Sequence, residues 1–168
     1  ARAGYLIGLN RPQEALTILQ LPGTDLEPDG ETFRLRALAH LCLGNLPQAQ
    51  LNAERALEIC PRWIANRFTA AVIDYFSCIS PVAQPGRLAL WPVPVGWDVV
   101  RRDDESRNRI QLAEATFAEL AGQADLHSED LRIVQAWRLA CLAVDPQRGS
   151  EAEDYCQRLL ASQPTHSM

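Results

Sequence analysis

The sequence predicts an all-α protein assembled from about four helical hairpins of similar length. Three observations carry that expectation. Apolar residues recur at helical spacing, as in Phe33, Ala37, Leu38 and Leu41. Two stretches, NRPQEALTIL from Asn10 and NLPQAQLNAERAL from Asn45, share one layout, and the step from Ala15 to Ala49 equals the step from Ala37 to Ala71. Alanines also pair at one shorter, constant interval: Ala3 with Ala15, Ala37 with Ala49, and Ala140 with Ala152, with Pro61 and Pro164 the same interval beyond the last two pairs. Two helices that cross closely need a small residue at the crossing, because a large side chain holds the backbones apart.

The first unit, about 1–27, takes its second helix from LNRPQEALTIL. Asn10 stands at the turn into it, and Asn accepts left-handed backbone better than most residues. Pro22 is expected to stop that helix early and leave LPGTDLEPDG as an irregular link. The second unit, about 30–63, opens at Asp29 as helix N-cap. FRLRALAHLCLG ends at Gly44, a residue suited to helix termination, and Pro47 lies in the first turn of the next helix, where a missing N–H costs nothing. That helix, PQAQLNAERALEI, stops before Pro61.

The third unit, about 64–126, is interrupted. RWIANRFTAAVIDYFSCIS reads as its first helix, with Ala71 one full repeat after Ala37. PVAQPGRLALWPVPVGWDVV then carries four prolines and two glycines, and a second helix appears only at ESRNRIQLAEATFAELAGQ. Ala113 follows Ala71 at more than three times the interval of the other alanine pairs. The turn therefore holds a non-helical insert of roughly 30 residues, centred on 81–104, and insertions in repeat units map to loops. The mixed charges of RRDDESRNR read as a solvated helix start with acids near the N-terminus. The fourth unit, about 128–164, begins with Ser128 as N-cap ahead of Glu129 and Asp130, and its second helix opens on a capping box, Ser150 with Glu153.

ALAHLCLGNLPQAQLNAERALEICP, with Gly44, Ala49, Ala56 and Pro61 in recurrent slots, resembles a tetratricopeptide repeat. LNRPQEALTIL resembles the second half of another, and ACLAVDPQRGSEAEDYCQRLLASQP is a looser copy with Ala140, Ala152, Leu159 and Pro164. The resemblance implies one domain over 1–168, a right-handed α–α superhelix whose concave face is lined by the first helix of each unit. On that face it places Arg34, Leu38, Leu41 and Cys42 of unit two, Phe68, Val72, Tyr75 and Phe76 of unit three, and Trp137, Cys141 and Val144 of unit four. Only Arg34 among them is cationic. A clamp for a terminal carboxylate needs converging cations and amides, so this stripe disfavours one. An apolar groove suits an amphipathic helix or an extended hydrophobic segment of a partner. The competing expectation for each residue is ordinary core packing.

Trp91 and Trp97 stand in the insert among prolines that favour extended backbone. Two exposed indoles would each leave roughly 150–250 Å² in water. They are therefore expected to dock on the groove, on a second copy or on a foreign partner, with the groove first in order.

Composition bounds the rest. The 168 residues are 47% hydrophobic and 22% charged, enough for a packed core. A net charge of −5 gives no basic face for nucleic acid. No apolar run reaches a membrane-span length, and no segment reads as a signal peptide. The chain opens at Ala1 and not Met, which reads as a fragment or processed chain. Cys42, Cys60, Cys78, Cys141 and Cys156 are widely spaced in apolar helical surroundings, as expected of reduced thiols in a cytoplasmic protein. No metal-ligand spacing joins them to His40, His127 or His166, so no metal or other cofactor is expected.

No phosphate-binding glycine loop, nucleophile elbow or metalloprotease pair occurs, and HSED from His127 is explained as a helix start. An enzyme is not expected. The function expected is protein–protein interaction through the concave face, gated by the insert. The alternative is a regulatory or scaffolding segment of a larger enzyme or signalling protein. Solenoid ends without a polar cap often pair, so a homo-oligomer is a further expectation.

Overall fold

The computed structural model describes residues 2–20, 29–79, 103–123 and 126–162. Among them the chain is all-α, with eight helices and no strand: α1 (Arg2–Gly8), α2 (Pro12–Gln20), α3 (Gly30–Cys42), α4 (Leu46–Ile59), α5 (Ile64–Cys78), α6 (Asp104–Ala121), α7 (Ser128–Val144) and α8 (Gly149–Ser162). No helix among the described residues is long and apolar enough to cross a membrane.

Local chemistry sets these boundaries. The Asp29 side chain accepts from the Thr32 N–H at 2.8 Å and starts α3; hydrogen bonding from Thr32, its side chain first and its N–H second, holds the Asp29 carboxyl below the usual aspartate range. Gly44 takes a left-handed φ of 72° between α3 and α4, and Asn10 takes φ 58° between α1 and α2, the one described non-glycine residue to do so. Asn45 caps α4, with Pro47 in its first turn. In α2 the Leu19 carbonyl accepts from the Arg36 Nη2 of α3 at 2.6 Å, which ties the two helices together. Asp103 caps α6 by accepting from the Ser106 N–H at 2.7 Å, and Asp104 and Glu105 occupy its first turn. The acidic start expected for this helix is present, and Glu105 pairs with Arg109 at 2.9 Å.

Two expected caps lie elsewhere. Ser128 is the first residue of α7, and the N-cap is His127, which supplies no side-chain bond. Ser150 lies inside the first turn of α8, which begins at Gly149. The turn before α8 is instead organised by Asp145, whose carboxylate accepts from the Gln147 N–H at 3.0 Å while its carbonyl accepts from Arg148 N–H at 3.0 Å. That turn brings the chain into helical geometry before Ser150 is reached, so the hydroxyl arrives too late to cap.

Each helix packs against the next in sequence, and α1 also touches α3, α3 touches α5, and α5 touches α7. Among the described residues no contact joins α2 to α4, α4 to α6, or α6 to α8. The four alanine pairs all sit on neighbouring helices and all eight alanines are buried: Ala3 with Ala15, Ala37 with Ala49, Ala71 with Ala113, and Ala140 with Ala152. One core gathers around Leu41, Ile73, Ile110, Phe117, Leu120 and Trp137, and a second around Leu6, Ile7, Leu16 and Leu35. A small third group, Leu142, Ala152 and Tyr155, attaches α8.

The hairpin ends are tied by polar groups. The Asn66 amide donates to the Ala56 carbonyl at 2.8 Å and the Cys60 carbonyl at 3.2 Å, so a residue of α5 closes the C-terminus of α4. Gly30 fits beneath it, since a Cβ there would lie 3.3 Å from the Cys60 sulfur and 3.4 Å from the Asn66 amide nitrogen. All five cysteines are free thiols; Cys42, Cys78 and Cys141 are buried and Cys60 and Cys156 half-buried. Burial pushes the thiols of Cys42, Cys78 and Cys141 up.

Candidate functional site

The residues expected to face a partner fall into three environments. Arg34 is half-buried on α3, and its guanidinium forms a fork with Glu31 one turn earlier, Nε at 2.7 Å and Nη2 at 2.8 Å. The same guanidinium lies 5.7 Å from the ring centre of Trp63, the residue that precedes α5. Its charge is therefore already matched, and it presents a flat guanidinium on an indole. Trp63 is 42% exposed and was not among the expected contacts; its only sequence signal is an aromatic residue in the turn after Pro61.

Leu38, Leu41, Val72, Tyr75 and Trp137 are buried, at 9%, 1%, 2%, 3% and 2% exposure. Their side chains form interior in this structure, which corrects the expectation that they present open surface. Leu38 packs into the N-terminal core beside Leu6 and Ile7, because α3 touches α1 as well as α2. Leu41, Val72, Tyr75 and Trp137 belong to the main core, where α5 is enclosed by α3, α4, α6 and α7. The neighbouring Cys42, Cys141 and Val144 are buried for the same reason.

Phe68 and Phe76 are half-buried and sit at the margin of that core. They flank an aromatic cluster built from three helices. Tyr75 meets Trp137 edge-on at 5.4 Å, Phe76 meets Trp137 at 5.7 Å, and Phe76 meets Tyr75 at 5.5 Å. Phe117 of α6 stacks on Trp137 at 6.1 Å and takes the edge of Phe68 at 5.7 Å. Edge-to-face pairs of this kind add about 0.5–1.5 kcal/mol each beyond area burial. The cluster thus holds Phe68 and Phe76 in fixed orientations while leaving part of each ring accessible. Phe117, fully buried, is the support that the expected site lacked.

One polar atom within this cluster is unsatisfied. The Trp137 indole nitrogen is buried and has no hydrogen-bond partner among the described residues. Trp91 and Trp97 lie outside the described residues.

Ion pairs frame the face. Arg67, next to Phe68, forks onto Glu119 of α6, with Nη1 to Oε1 at 2.9 Å and a second contact from Nη2 to Oε2. The donated bonds hold the Glu119 carboxyl below the usual range. Asp74 is half-buried on α5, 3.7 Å from Arg109 of α6. Burial raises its carboxyl above the ordinary aspartate value, Arg109 pulls against that rise, and Glu54 adds to it.

What the arrangement offers is aromatic and guanidinium surface on a helical support, without converging unpaired cations among the described residues. That chemistry recognises apolar side chains better than it does an anion. Comparisons with protein-family models, with curated proteins and with solved structures each found no match.

Proposed function

We propose that this chain is a protein-interaction module of the tetratricopeptide kind: about four hairpins stacked as a right-handed superhelix, taking a peptide or helix of a partner along its concave face. The observation that carries the architecture is the burial of four alanine pairs on successive helix pairs. Contacts among α1, α3, α5 and α7, without matching contacts among α2, α4, α6 and α8, support a curved array with the odd-numbered helices innermost.

The binding residues proposed are Phe68 and Phe76, with Arg34 and Trp63 extending the same odd-helix side. Their half-buried rings and matched charge suit an apolar anchor from an amphipathic helix or extended segment. The insert, expected at 81–104 and shortened at its end by the start of α6 at Asp104, carries Trp91 and Trp97 and is proposed to compete for this face. No catalytic or cofactor role is assigned. The free thiols fit a cytoplasmic setting.

The test is selection from a displayed library of random peptides. Enrichment of sequences with paired apolar anchors, lost in Phe68→Glu and Phe76→Glu variants with unchanged helical circular dichroism, is the expected result. Deletion of 82–100 should tighten binding of the selected peptides. Selection of acidic or no consensus sequences, or equal binding by the two Glu variants, would overturn the reading.

A further inference from the structure

We draw no further inference here: the strongest candidate, the buried Trp137 indole N–H in the aromatic cluster between α5, α6 and α7, is enclosed in the core already described, and nothing among the described residues points to a ligand for it.

Discussion

Arg138 of α7 donates its Nε–H to the Glu114 carboxylate of α6 at 2.6 Å. The same guanidinium covers the ring of Tyr155 in α8 at 4.7 Å, and Arg148 reaches the other Glu114 oxygen at 3.3 Å. Glu114 is buried, so both of its oxygens depend on these partners. Three helices are therefore joined through one carboxylate, at the place where apolar packing is thinnest. Glu114→Ala should lower stability by about 1.5–3 kcal/mol, the range for a hydrogen bond to a charged group, since Arg138 loses its carboxylate while Arg148 keeps its fork with Glu151 at 2.7 Å. Chemical denaturation measures it, and hydrogen exchange should show α8 losing protection first. A loss spread evenly over all helices would contradict this linkage.

Ala49 is fully buried against α3. Ala49→Leu inserts three carbons where two backbones approach, and should cost about 1–3 kcal/mol or more through overpacking. Leu51, on the same helix, is 49% exposed, and Leu51→Ala should change stability by under about 0.5 kcal/mol. Comparable losses at the two positions would argue against close crossing at Ala49.

Asp74 predicts an unusual pH response. Its carboxyl is raised in the folded chain, chiefly by burial, so the folded state holds its proton more tightly than the unfolded state does. Its ionisation therefore costs stability as pH rises from the ordinary aspartate range through the raised folded value. The difference in unfolding free energy between wild type and Asp74→Asn should change across that window, with the variant gaining relative to wild type as pH rises. A relative loss for Asp74→Asn with rising pH would show that the Arg109 pairing outweighs burial.

Asn66 closes α4 with two donated bonds from a side chain that is 1% exposed. Asn66→Ala should cost about 1–2 kcal/mol, the worth of the donated bonds alone, because the Ala56 and Cys60 carbonyls each keep a backbone donor, Cys60 N–H at 3.0 Å and Trp63 N–H at 3.3 Å. Asn66→Asp should cost more, because a carboxylate would face the Ala56 and Cys60 carbonyls. Thermal unfolding of the two variants in parallel gives the order; Asp milder than Ala would refute the assignment of donor and acceptor.

Trp137→Phe removes the unpartnered indole N–H together with ring volume. Relief of a buried donor, about 1–3 kcal/mol, offsets much of the cavity created, so the loss should stay well below the roughly 3–5 kcal/mol expected of Trp137→Ala. Denaturant midpoints of the pair decide it: equal losses would mean that the indole nitrogen carries no penalty.

The helical class and the helix-pair spacing were legible because they rest on local rules. Ala37 and Ala49 announce a crossing by their interval, Asp29 announces a helix start, and Asn10 and Gly44 announce left-handed turns. The site was less legible. Helical periodicity shows that Val72, Tyr75 and Phe76 share a stripe, but not how many helices close over it. Helix α5 meets four others, and that enclosure turns Tyr75 and Trp137 inward while leaving part of Phe76 outside. Long-range polar contacts leave even less trace. Nothing in the order of residues marks Asn66 as the cap of a helix that ends before it, or Arg34 as a lid on Trp63. Neither Ser128 nor Ser150 is a cap because capping depends on the backbone angles of a single residue: the extended residue before α7 is His127, and Asp145 sets the turn before α8.

Helices α5 and α6 pack together although the stretch of chain from Cys78 to Asp104 is many times longer than the turn from Cys42 to Leu46 in the preceding pair. Even as a wholly slack tether, the longer connection would raise the entropy of closure by only about 2 kcal/mol, because that term grows with the logarithm of length. Burial of Phe117 alone returns about as much. Lengthening this bend is thus thermodynamically cheap, and new sequence can accumulate there without loosening the pair that carries it.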